Sequence, residues 1–79
     1  MLRIYIGNNF DPQQVVVDEN KSIKEIYNEN NIAIPSGAIV TAGSRRLGDS
    51  ELNKPLNELG NISENELITF SQKLNGAHK

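Results

Sequence analysis

The chain has 79 residues and a mass of 8.8 kDa, which leaves room for one small domain and excludes a two-domain enzyme. Hydrophobic residues make up 37% of the chain and charged residues 23%, a balance typical of a soluble globular protein. A net charge of -2 gives no general attraction to nucleic acid, and the chain has no cysteine for disulfides, thiol nucleophiles or thiolate metal sites. No secretion signal or membrane-spanning run is visible, so we expect a cytoplasmic protein that binds neither nucleic acid nor membranes.

The first third of the chain predicts a β-hairpin. Apolar and polar residues alternate from Leu2 to Ile6, which is the period-2 pattern of a half-buried strand. Residues 7–12 contain glycine, asparagine, aspartate and proline, the composition of a turn, and the β-branched run Val15–Val17 follows. We therefore expect two antiparallel strands joined by this turn.

A helix is predicted to begin at Ile23. Ser22 can accept a hydrogen bond from an unpaired backbone N–H of the first turn, and Glu25, three residues later, completes the pattern of a capping box. Ile23, Ile26 and Tyr27 fall on one side, so one face of the helix is expected to pack on a sheet. We expect about three turns.

The helix is predicted to stop near Asn31, and further strands follow. Residues 38–42 have the pattern of a third strand, and Leu47 is expected in a short extra strand after a turn at residues 44–46. Beyond it, three leucines spaced by four and three residues predict a brief helical turn that covers the core: Leu52, Leu56 and Leu59.

The last predicted strand contains Ile68 and Phe70, two large apolar side chains that share one face. We expect this face to be buried, because a small domain needs the apolar area. A shift of one residue would expose both side chains instead, and this alternative stays open.

This order of elements resembles the β-grasp, and several segments are similar in residue type and spacing to ubiquitin-like proteins. The similar segments are the opening strand at 1–6, the second strand and helix start at 17–26, the Ile-Pro pair at 34–35 and the Ala-Gly turn at 42–43. The resemblance covers residues 1–74. It implies one α+β domain with a mixed four- to five-stranded sheet packed on one main helix, followed by a flexible tail at 75–79.

The C-terminus departs from the conjugated members of this family, which end in a Gly-Gly pair with an activated carboxylate. This chain has a single glycine near its end, Gly76, and three residues follow it. The resemblance therefore implies a small, non-catalytic protein-binding or regulatory module, similar to stand-alone β-grasp proteins of bacteria. A covalent modifier or sulfur carrier that is activated after processing at Gly76 is the alternative.

The resemblance also suggests a partner surface. Alignment through Ile39 and Ile62 places Val40, Thr69 and Ser71 at the sheet patch through which ubiquitin is recognised, and of these three only Val40 is apolar. Proteins that bind ubiquitin are therefore not expected to recognise this chain, and the partner protein is unknown.

Three further residues are expected at the rim of that surface. Arg45 and Arg46 lie in a predicted turn and either contact an acidic partner or are simply solvated. Phe10 is an apolar ring in a polar loop, and it either covers the sheet edge or anchors a partner.

The sequence offers no assembled catalytic set. His78 is the only imidazole and lies in the predicted tail, and the carboxylates lack the spacing of metal or acid–base sites. We therefore expect no enzyme, no metal and no cofactor. A monomer is expected, and pairing of open strand edges between two chains is left open.

Overall fold

A computed structural model of the protein describes residues 1–60 and 62–71. The elements, in chain order, are β1 (Leu2–Asn8), β2 (Gln13–Val17), α1 (Ile23–Glu29), β3 (Ile39–Ala42), β4 (Arg45–Leu47), α2 (Asp49–Leu52), a 3-10 turn (Leu56–Glu58) and β5 (Glu66–Ser71). The predicted order is confirmed, including the optional strand at Leu47, except that two short helical segments lie where one helical turn was expected. The predicted domain boundary at residue 74 and the predicted tail at 75–79 lie outside the described residues.

The strands form one mixed five-stranded sheet in the order β2-β1-β5-β3-β4. The neighbouring strands β1 and β5 are parallel, whereas the other three pairings are antiparallel. The protein is thus a small α+β domain with one main helix, an architecture that is compatible with the β-grasp. Within the two described ranges, no helix has the length and apolar character needed to cross a membrane.

The core lies between α1 and one face of the sheet, which we call the inner face. Along each strand, every second residue contributes its side chain to this core. The short helical segments contribute the leucines that were predicted from their spacing. The buried apolar residues are Ile4, Ile6, Val17, Ile23, Ile26, Tyr27, Val40, Ala42, Leu47, Leu52, Leu56, Leu59, Ile68 and Phe70.

The start of α1 is fixed by the predicted capping box. The Ser22 hydroxyl oxygen accepts a hydrogen bond from the Glu25 backbone N–H at 3.2 Å, and the Glu25 carboxylate accepts one from the Ser22 N–H at 2.9 Å. The helix ends at Glu29, earlier than the three turns expected, because Asn30 caps it and Asn31 takes a left-handed backbone conformation with φ 60°.

Tyr27 connects α1 to the centre of the sheet. Its buried hydroxyl accepts a hydrogen bond from the Gly7 N–H of β1 at 2.9 Å and donates one to the Ile68 carbonyl of β5 at 2.6 Å. Burial raises the pKa of Tyr27 to about 12, and the Gly7 hydrogen bond opposes this shift only in part.

The turn between β3 and β4 is one point at which the sequence interpretation was wrong. The turn consists of Gly43 and Ser44, and Gly43 has a φ of 64°. Arg45 and Arg46, which were expected in the turn, instead pair with Ala42 and Thr41 as part of β4. A positive-φ glycine allows a tighter turn than the predicted one, so pairing begins directly after Ser44.

Candidate protein-binding surface

The second face of the sheet points away from α1, and we call it the outer face. Side chains alternate along a strand, so the residues between the core positions lie on this face. Paired registers bring them together across the sheet. The outer-face side chains are Arg3, Tyr5, Gln14, Val16, Ile39, Thr41, Arg46, Leu67, Thr69 and Ser71.

Val40 does not lie on the outer face, so this part of the predicted partner surface was wrong. Only 2% of Val40 is exposed, and it pairs with Phe70 on one side and with Leu47 on the other. Ile68 and Phe70 are buried as expected, at 0% and 6% exposure. Because Val40 and Phe70 are directly paired, burial of Phe70 requires burial of Val40, and the two sequence expectations were incompatible.

Thr69 and Ser71 lie on the outer face as predicted, but they offer little contact area. Thr69 sits in the central strand between Gly7 and Thr41, and 5% of it is exposed. Ser71 is half-buried and pairs with Ile39. These two residues therefore lie at the bottom of the surface and contribute little to the area that a partner could contact.

The two arginines lie on opposite faces of β4. Arg45 is on the inner side, where its guanidinium donates a hydrogen bond to the Leu59 carbonyl next to the 3-10 turn. Arg46 is exposed on the outer face opposite Thr41. Of the pair, Arg46 is the residue available to a partner, because the Arg45 side chain is held against the protein's own backbone.

Phe10 is 86% exposed, so it does not cover the sheet edge. Its loop is nevertheless held in place. The Phe10 N–H donates to the Asn8 side-chain oxygen at 2.9 Å, and the Asn9 N–H donates to the Phe70 carbonyl at 3.0 Å. These bonds attach the backbone of the loop to the end of β5, beside Ser71, and the Phe10 ring is exposed to solvent, so partner anchoring is the expectation that remains for it.

Sequence reasoning missed the apolar centre of the outer face. Leu67 is 46% exposed and pairs with Tyr5 of β1 in the parallel register. Tyr5 is half-buried, and its hydroxyl accepts a hydrogen bond from the Gln14 side chain at 3.3 Å. Alternation was the signal that could have found Leu67, because a strand that buries Ile68 and Phe70 must direct Leu67 to the other side.

The charge on the outer face has one sign. Arg3 and Arg46 are its charged residues, and none of the outward positions in the described strands carries a carboxylate. Arg3 is 3.7 Å from the Glu64 carboxylate at the rim, and both side chains are about half exposed. The outer face of a chain with a net charge of -2 is therefore locally basic.

Two of the described carboxylates accept hydrogen bonds from nearby backbone N–H groups. Glu51 accepts the Gly48 N–H at 2.9 Å, and Glu66 accepts the Ser63 N–H at 3.1 Å. In the part of the chain that the structure describes, no group of three or more histidine, aspartate or glutamate side chains could hold a metal ion. His78 and Gly76 lie outside the described residues.

A groove lies on the helix side of the molecule. An open groove of about 480 Å³ separates α1 from the segment that follows it, and it is lined by Lys24, Glu25, Tyr27, Asn28, Ile32 and Ile34. Its lining has no nucleophile paired with a base, so it provides no catalytic arrangement.

No protein-family model matches the chain, and no curated protein matches it.

Proposed function

We propose that this chain is a non-catalytic, ubiquitin-like β-grasp protein that binds a partner protein through the outer face of its sheet. The strand order β2-β1-β5-β3-β4, the parallel central pair and the single main helix support the β-grasp assignment. The segment similarities at the first strand, the helix start and the Ala-Gly turn support the ubiquitin-like class.

The observation that carries the proposal is the composition of the outer face. It combines an exposed leucine, a half-buried tyrosine and an exposed arginine, without a carboxylate at any described outward position. Interfaces between proteins are enriched in such apolar, aromatic and arginine side chains at their centres. The partner segment would have apolar side chains for Leu67 and Tyr5 and a carboxylate for Arg46.

The test uses the full chain with an N-terminal tag, captured from its native cells. Leu67→Lys removes the apolar centre and Arg46→Glu reverses the charge, whereas Asn28→Lys adds a charge on the exposed side of α1 as the matched control. We expect the two outer-face variants to lose the same partner and the control to retain it. A partner that all three variants retain would contradict the outer face as the binding site.

Denaturing washes and the intact mass of the bait separate binding from covalent attachment. A full-length bait with partners seen only under native conditions supports a binding module. A bait shortened to Gly76 with adducts that survive denaturation would contradict the proposal and establish the covalent modifier instead.

A further inference from the structure

The two edges of the sheet are protected very differently. β4 has three residues, and two of them are arginines. Short length and charge are the features by which natural sheets prevent their edges from pairing with other chains. β2 has five residues, Gln13–Val17, with no charge and no proline, and all five pair with β1 without a bulge.

The free edge of β2 is also accessible. Val16 is 60% exposed on the outer face. On the inner side, a groove of about 350 Å³ lies between β2 and α1, and its lining includes Val15, Val17 and Glu29. Because alternate residues of an antiparallel strand direct their N–H and C=O groups away from the neighbouring strand, β2 presents backbone groups along this edge that no other strand within residues 1–60 and 62–71 pairs with.

We propose that β2 is a homotypic docking strand that pairs antiparallel with β2 of a second copy of this chain. The two-fold axis lies at Val16, so that Val16 faces the same residue of the second copy. In this register Val15 is opposite Val17 of the second copy, and Gln14 is opposite Asp18. The contact is isologous, and both sheets continue across it.

Charge is compatible with a second copy and favours this register. The strand itself is uncharged, so a second copy brings no like charges face to face. A shift of the axis to Val15 would place Asp11 opposite Glu19, two like charges that disfavour pairing. The contact at Val16 lies at the sheet edge, two strands away from Leu67.

Area sets the strength of this dimer. Pairing of two five-residue strands belongs with the small interfaces below about 1,200 Å², which are weak and transient. The dimer is therefore expected at high protein concentration and should dissociate on dilution.

Sedimentation equilibrium over a concentration series from micromolar to millimolar tests the proposal. The wild-type mass should rise from the monomer value of 8.8 kDa toward that of a dimer. Val16→Lys places two ammonium groups opposite each other and should stay monomeric throughout. Leu67→Lys makes the same charge change on the outer face of β5 and should associate as the wild type does.

Mixing charge variants tests the register. Val16→Lys and Val16→Glu should each be monomeric alone and should form a one-to-one heterodimer when mixed, because residue 16 of one copy faces residue 16 of the other. A mixture that stays monomeric would overturn this register.

Any one of three results would overturn the proposal that β2 pairs with β2 of a second copy. The wild type could stay monomeric at millimolar concentration, Val16→Lys could associate like the wild type, or Leu67→Lys could be the variant that abolishes association. If the Val16 variants do not fold, amide chemical shifts of the wild type decide: concentration-dependent changes centred on β2 support the pairing, and changes centred on β5 and β3 overturn it.

Discussion

The two faces of this sheet are built from neighbouring residues and differ sharply in burial. Ile68 is fully buried against the core, whereas Leu67, one residue earlier in the same strand, is 46% exposed. The inner face is closed by α1, and its side chains depend on one another for burial. The outer face is not covered by α1. Substitutions of its exposed residues should therefore change the free energy of unfolding less than substitutions on the inner face.

The largest expected contrast is between these two neighbours in β5. Ile68→Ala removes a fully buried side chain and leaves a cavity, so we expect the free energy of unfolding to fall by about 2–5 kcal/mol. Leu67→Ala should lower it by less than about 1 kcal/mol, because half of the leucine is already in water. Urea unfolding followed by far-UV circular dichroism measures both, and equal losses would contradict the assignment of the two faces.

Tyr27→Phe breaks the polar contact that ties the helix to the inner face. The change leaves the Gly7 N–H and the Ile68 carbonyl without their hydrogen-bond partner in a buried site. We expect a loss of roughly 1–3 kcal/mol in the free energy of unfolding, since unpaired buried polar groups are costly. Tyr5→Phe is the matched control, because the hydrogen bond between that hydroxyl and Gln14 is exposed and its loss should have little effect on the free energy of unfolding.

The same tyrosine predicts a pH dependence. The folded state raises the pKa of Tyr27 from 10 to about 12, so between these values the unfolded chain releases the proton and the native protein keeps it. The contribution of Tyr27 is therefore complete below pH 10 and is lost as the pH rises through about 12. In urea titrations over this range, the stability difference between the wild type and Tyr27→Phe should shrink. A constant difference would contradict the raised pKa.

Local patterns in the sequence predicted the local structure well. The spacing of Ser22 and Glu25 specified a helix start that the structure confirms, because a capping box involves only residues three apart. Alternation in residues 2–6 and the pairing of large apolar side chains at Ile68 and Phe70 likewise predicted the inner face.

The errors came from properties that depend on pairing between distant segments. The burial of Val40 depends on its register with Phe70, thirty residues later in the chain, which single-strand alternation does not specify. Likewise, Arg45 and Arg46 look like turn residues by composition, but β3 recruits them into a strand. A surface assembled across five strands is therefore less predictable than a cap within one turn.

Ser22→Ala tests the N-terminal cap of α1 and should have an intermediate effect on the free energy of unfolding. The alanine keeps the backbone but loses the acceptor for the Glu25 N–H, so we expect a loss of about 1 kcal/mol in the free energy of unfolding. Thermal unfolding monitored at the helix signal provides the measurement. Ser44→Ala in the β3–β4 turn is the control, and an equal loss there would argue against a specific role for the cap.

The smallest effect on the free energy of unfolding is expected at Arg46, an exposed residue of the outer face. Arg46→Glu reverses an exposed charge opposite Thr41, and the free energy of unfolding should change by no more than about 0.5 kcal/mol. Its effect on the captured partner should nevertheless be large, because it places a carboxylate on a face that otherwise has none at its described outward positions. Arg46→Gln separates charge from size: it should weaken binding less than the reversal does, and rising salt should narrow the gap between them. If Arg46→Glu instead lowers the free energy of unfolding as much as Ser22→Ala does, Arg46 stabilises the fold, and the contrast between the inner and outer faces does not hold at β4.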